Sequence, residues 1–147
     1  SASAKVAELA MIPSICPVVV EPGKQFRITS GFGYRQSPFT GAWENHSGID
    51  IASPLDTPIK ATADGVIIEI GMDRSLGNFI VIRHNQKYST LYGHLNRFAQ
   101  GMEKGIGVNR HNVIGYVGKT GMATWHHVHY EVRVNGQCVN PLDYILN

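Results

Sequence analysis

From Phe26 onward the chain is dense in β-branched residues and broken at intervals of about eight to twelve residues by Gly, Asn or Asp, a rhythm that predicts many short strands. Strands are expected at 78–83 (NFIVIR), 88–93 (YSTLYG) and 112–117 (NVIGYV). Asp64-Gly65, between PIKATA and VIIEI, and Asn135-Gly136, between HYEVRV and QCVN, each read as the two-residue turn of a type I′ hairpin. Ahead of this region, residues 4–11 (AKVAELAM) have helical composition, and Pro13 and Pro17 then force an extended lead-in. A short helix is expected near 142–146. Long amphipathic helical periodicity and solenoid repeats are absent, so the fold class is all-β, a compact antiparallel core with short terminal helices. Residues 1–17 are expected to be a lead-in segment and 18–147 a single domain.

Composition narrows the function classes. With 43% hydrophobic and 16% charged residues, the 147-residue chain is a folded domain rather than a disordered one. A net charge of +2, with Lys and Arg scattered, gives no footprint for nucleic acid, while mild basicity suits an anionic cell wall. No apolar run approaches the roughly 20 residues that span a bilayer. Cys16 and Cys138 lie outside any C-x-x-C spacing; they can pair if the fold brings them together, and otherwise read as two buried free thiols. The opening Ser1-Ala2-Ser3-Ala4 reads as the start of an excised fragment without its signal or anchor segment.

Several familiar motifs fail on inspection. Gly118-Lys119-Thr120 lacks the glycine that a phosphate loop needs at position 113, where Val113 stands. Gly31-Phe32-Gly33 begins a dinucleotide fingerprint, but Gln36 occupies the third glycine position. H-E-x-x-H is absent, so any metal sits on strands. Seven histidines remain, and three segments stand out: His46-Ser-Gly-Ile-Asp50, Tyr92-Gly-His94-Leu95 and His127-Val-His129. Side chains alternate faces along a strand, so His127 and His129 point the same way and can share one site. Glu131 follows on that face as a candidate partner, whereas His126 and Val128 face away. His46 and Asp50 share a face only if the chain bends between them, and Gly48 stands where that bend is needed. Taken alone, His94 and His84 also read as hydrogen-bonded strand histidines and His111 as a solvated one.

In their order and surroundings these segments resemble the lysostaphin-like zinc endopeptidases of bacterial cell walls. The resemblance runs from ITSGFGYR (28–35) through HSGIDIASPLDTPIKATADGVI, NFIVIRH and YGHL to HVHYEVRVNGQCVNPLDYI. It implies that His46, Asp50 and His129 are zinc ligands, that His94 and His127 are catalytic histidines, and that the site lies in a groove walled by loops. Three protein ligands leave a fourth position for a water nucleophile, whose pKa zinc lowers toward about 7. The implied substrate is a peptidoglycan stem or cross-bridge peptide, and the implied location is the cell envelope, periplasmic or extracellular. Relatives that have lost ligands act as wall-binding or activator modules, the alternative reading for this chain. Thr124-Trp125-His126 replaces the family's usual Thr-Gly-Pro before H-x-H, a departure that bears on substrate preference. The groove is expected to be bordered by 37–45, 71–78 and 122–126, with Trp43 and Trp125 as candidate stacking surfaces.

Overall fold

A computed structural model describes all 147 residues. After α1 (Ala2–Leu9), the chain forms β1 (Arg27–Ser30), β2 (Gly33–Gln36), β3 (Trp43–His46), β4 (Ile49–Ala52), β5 (Pro58–Lys60), β6 (Gly65–Asp73), β7 (Gly77–Arg83), β8 (Tyr88–Phe98), β9 (Gly107–Val108), β10 (Val113–Val117), β11 (His127–Val134) and β12 (Gln137–Val139). Ten strands make one sheet whose main path is β1-β4-β11-β8-β7-β6-β9, with β10 joining β5 to β8 and β12 added to β11. The ribbon of β2 and β3 stands apart. Every strand pairing is antiparallel, so the all-β expectation holds.

Strand alternation explains how one sheet carries both core and site. On β4, Ile49 and Ile51 enter the hydrophobic core; on β11, Val128, Tyr130 and Val132 do the same. The intervening Asp50, His127, His129 and Glu131 therefore face the other side, where they too are buried. Ile80, Ile82, Tyr92, Leu95 and Ile114 extend the same core across the neighbouring strands. Cys16 packs into that core and Cys138 is half-buried; both thiols are free.

The expected strands coincide with β7, β8 and β10, and β8 runs on to Phe98. Asn135 (φ 51°) and Gly136 (φ 81°) adopt the left-handed backbone of the expected hairpin turn between β11 and β12. Asp64-Gly65 does not: neither residue has positive φ, and β5 pairs with β10 while β6 pairs with β7 and β9. Glycine is needed at 65 for close approach instead, because a Cβ there would meet the Arg83 carbonyl oxygen at 2.5 Å. The expected terminal helix is likewise cut to a single 3₁₀ turn, Pro141–Asp143. Beyond it the Leu146 N–H donates to the Ser14 carbonyl and the Asn147 side chain accepts from Cys16 N–H, so long-range bonds to the lead-in replace helical ones.

Candidate metal centre and active-site groove

The centre begins with a register. In the antiparallel pair β4·β11, Asp50 stands directly opposite His129, which places adjacent side chains on the same face. The chain reverses between β3 and β4, and this brings His46 from the ribbon over the sheet. Gly48 makes that reversal possible, although through closeness rather than an unusual φ: any Cβ there would collide with the Tyr130 carbonyl. The Nε2 of His46, Oδ1 of Asp50 and Nδ1 of His129 are mutually 2.9, 3.3 and 3.4 Å apart. A tetrahedral ion with ligand bonds near 2.0–2.1 Å needs donor separations of about 3.3 Å. Two imidazoles and one carboxylate, all buried, thus form a potential metal site whose donor set fits zinc.

Hydrogen bonds on the far side of each ring fix which nitrogen faces the centre. The Nδ1–H of His46 donates to the Gly31 carbonyl at 2.8 Å, leaving Nε2 inward. The Nε2–H of His129 donates to Glu131 Oε2 at 2.8 Å, leaving Nδ1 inward. Glu131 is held in turn by the Ser47 hydroxyl at 2.7 Å and by Arg133, whose Nε and Nη2 lie 3.0 and 2.9 Å from Oε1. A carboxylate on the outer nitrogen orients a ligating histidine and raises its basicity.

His94 and His127 are brought beside this triad. Between Tyr92 and Leu95 the β7·β8 register gains a residue on β8, and His94 has φ 63° at that bulge. A bulge re-aims a side chain that regular alternation would send elsewhere, and a non-glycine residue in this region marks strain held in place by its surroundings. Here the His94 N–H donates to the Leu76 carbonyl and its Nδ1–H to the Thr120 carbonyl at 2.7 Å. The Nδ1–H of His127 donates to the Trp125 carbonyl at 2.9 Å, and its Nε2 lies 3.8 Å from Asp50 Oδ1. The two rings meet edge to face with centroids 4.8 Å apart.

Electrostatics divide the five groups. Burial opposes charge on His129, but its bonds to the Asp50 and Glu131 carboxylates prevail and hold its pKa at about 9. Burial also raises the carboxylates, yet hydrogen bonds from His129 and His46 keep Asp50 well below the usual range, and those from His129 and Ser47 bring Glu131 to about 2. The triad is therefore built to hold positive charge. Burial dominates at His94, lowered to about 4, and at His127, also lowered, so both rings are neutral near pH 7.

The groove above the triad has a volume of about 380 Å³, and Phe39, Leu76 and Met122 supply its apolar walls. All three expected border segments contribute to it. A second cleft, bounded by Ser30, Trp125 and His126, shares Arg35, Asp50 and His127 with the first. Trp125 is 63% exposed at that cleft, whereas Trp43 stacks on Tyr34 away from the groove. His126 stays outside the metal cluster, and His111 is exposed. His84 is buried with both nitrogens hydrogen-bonded, to the Asp64 carbonyl and to Thr90, and lines neither cleft. The sequence reading assigned no role to Arg35, Ser47 or the carbonyls of Gly31, Thr120 and Trp125. Carbonyls are common to every residue and leave no sequence signal, but Arg35 had one, as the single charged residue of ITSGFGYR.

Comparison with known proteins shows what the chain is similar to in sequence and fold. Residues 44–141 match the sequence model described as peptidase family M23. Over 127 residues the chain is 46% identical to the DD-carboxypeptidase/endopeptidase Mpg of Neisseria meningitidis, covering 86% of this chain and 29% of that protein. It is 38% identical over 119 residues to the peptidoglycan DD-endopeptidase ShyA of Vibrio cholerae, covering 80% of this chain and 27% of the relative. The chain thus spans less than a third of these curated relatives. Among solved structures, a zinc-containing peptidase from Vibrio cholerae superposes with a TM-score of 0.74 at 38% identity, over 84% of this chain and 37% of that one. The catalytic domain of lysostaphin from Staphylococcus simulans gives 0.72 at 26% identity, over 81% and 91%.

Proposed function

Because the chain belongs to peptidase family M23, we infer that it is the hydrolytic domain of a zinc endopeptidase acting on peptide bonds in peptidoglycan stems or cross-bridges. The observation that carries this reading is the convergence, on one groove, of three buried donor atoms at tetrahedral spacing and two imidazoles whose Nδ1–H groups are tied back to carbonyls. His46, Asp50 and His129 would hold the ion. When bound, zinc supplies Lewis-acid polarisation and a water of lowered pKa.

The remaining work falls to the protein. With Nδ1 anchored, Nε2 is the working atom of both His94 and His127, and each ring enters the reaction with a lone pair there. One of them takes a proton from the attacking water and returns it to the departing amine nitrogen, as general base and then general acid. The other, once its Nε2 has taken up a proton from solvent, donates a hydrogen bond to the oxygen on which negative charge develops. Residues of the β2–β3 ribbon, together with Leu76 and Met122 of the two flanking segments, wall the groove in which the peptide would lie. Such a substrate places the domain in the cell envelope, on the periplasmic or extracellular side.

The test pairs metal analysis with digestion of isolated cross-linked muropeptides followed by mass analysis. About one zinc per chain and products from peptide-bond hydrolysis are expected. Intact muropeptides in the presence of fully zinc-loaded protein would instead favour a wall-binding or activator module.

A further inference from the structure

Arg35 is the single lysine or arginine that lines either half of the groove. It lies on β2, in the ribbon whose other strand ends in His46, and it borders both the main cavity and the cleft beside Trp125. Its Nε is the one buried side-chain nitrogen or oxygen in the protein without a hydrogen-bond partner. The guanidinium makes one bond to protein, from Nη1 to the Gln36 carbonyl at 3.3 Å. It joins no ion pair.

The nearby carboxylates do not answer it. Asp50 faces His46 and His129, and Glu131 is engaged by Ser47, His129 and Arg133. Glu44, directly across the ribbon, does not close on it. An unpaired buried donor is destabilising, so its persistence in a groove calls for an acceptor brought by a ligand. A guanidinium takes a carboxylate through two parallel N–H donors, a geometry that ammonium cannot copy.

We propose that Arg35 binds a free carboxylate of the substrate, carried by the residue adjoining the scissile bond. This rests on the peptidase reading above and narrows it to a substrate class. In a DD-linked stem the scissile nitrogen is attached to a carbon that bears a free carboxylate, whether that carbon belongs to a terminal D-alanine or to the D-centre of a diamino acid cross-link. A glycine bridge carries no carboxylate at that position. Arg35 therefore selects DD bonds over glycyl bridges, and because it lines the same two clefts as Asp50 and His127 the carboxylate would be held in the groove that contains the reacting amide.

The test compares peptides that differ only at that carboxyl, free or amidated, in both a terminal D-alanyl-D-alanine and a cross-linked form. Wild-type kcat/KM is expected to favour the free acid on the order of 10- to 100-fold, the scale of a charge-assisted bidentate contact. In Arg35→Gln the acid-to-amide ratio falls toward one, and Arg35→Lys gives an intermediate ratio. The same four ligands, with the scissile amide replaced by a methyleneamine, are titrated calorimetrically into wild type and both variants. Failure of the wild type to hydrolyse any of them removes DD-peptidase activity from the reading above, while the binding ratios still decide the role of Arg35. An acid preference that Arg35→Gln retains, or its absence from the wild type in binding and turnover alike, overturns the proposal.

Discussion

His129 and Glu131 stand two residues apart on one face of β11, and the Glu131 carboxylate accepts the outer ring proton of His129 at 2.8 Å. That bond leaves Nδ1 of His129 to face Asp50 and His46, so a residue outside the donor triad determines which nitrogen can ligate. Glu131→Gln keeps the shape but weakens the acceptor and disturbs the bonds from Ser47 and Arg133. Zinc affinity is expected to fall about 10- to 100-fold. Competition with a chromophoric chelator measures this, and an unchanged dissociation constant would show that the contact merely packs.

Removal of a donor acts more severely, because three protein groups leave no spare. His46→Ala, Asp50→Ala and His129→Ala are each expected to lose most of the metal during dialysis against buffer without added zinc. Metal analysis of the three purified variants checks them separately. Full occupancy in any one strikes that residue from the donor set.

His94 and His127 should behave differently from the triad. Their inward nitrogens are free while their outer ones bond to carbonyls, so His94→Ala and His127→Ala are expected to retain zinc and lose about 10²–10⁴-fold in turnover. His126→Ala, outside the cluster, should change turnover little. Loss of zinc from His94→Ala would move that residue into the coordination sphere.

The contrast between these residues and their supports shows what the sequence makes legible. Chemistry-bearing side chains at even spacing on strands were readable: H-x-H on β11, Glu131 beyond it, and a reversal at Gly48 that carries His46 back to Asp50. The Asn135-Gly136 turn was readable because left-handed backbone is what those residues favour. Asp64-Gly65 has the same local signature, yet β10 takes β5 and β9 takes the edge of β6, a competition between distant strands that no local pattern encodes. The bulge at His94 was hidden for a similar reason, since it comes from a register slip between β7 and β8. Equally hidden were the carbonyls that fix each ring, whose placement depends on tertiary packing alone.

His84 lies just beyond β7 with its Nδ1–H donated to the Asp64 carbonyl and its Nε2 accepting from Thr90, both at 2.8 Å. Thr90 continues to the Tyr92 hydroxyl, which bonds Thr62, which accepts from Tyr130, so the ring ends a buried polar chain through the middle of the sheet. Burial lowers the His84 pKa despite the bond to Asp64. Below its ordinary value of 6.5 the unfolded chain takes up a proton that the folded chain refuses, so this group contributes nothing to pH dependence above that value and lowers stability as pH falls beneath it. For one proton the slope cannot exceed about 1.4 kcal/mol per pH unit. His84→Gln should cost about 1–3 kcal/mol at pH 7.5 by loosening two buried hydrogen bonds. Between pH 6.5 and 5 the variant should then lose less stability than wild type, so that the two curves converge. Urea unfolding of zinc-saturated protein at a series of pH values reads the difference, and contributions from the metal-site histidines cancel because both proteins keep them. Parallel curves across that interval would mean that His84 is protonated equally in the folded and unfolded chains.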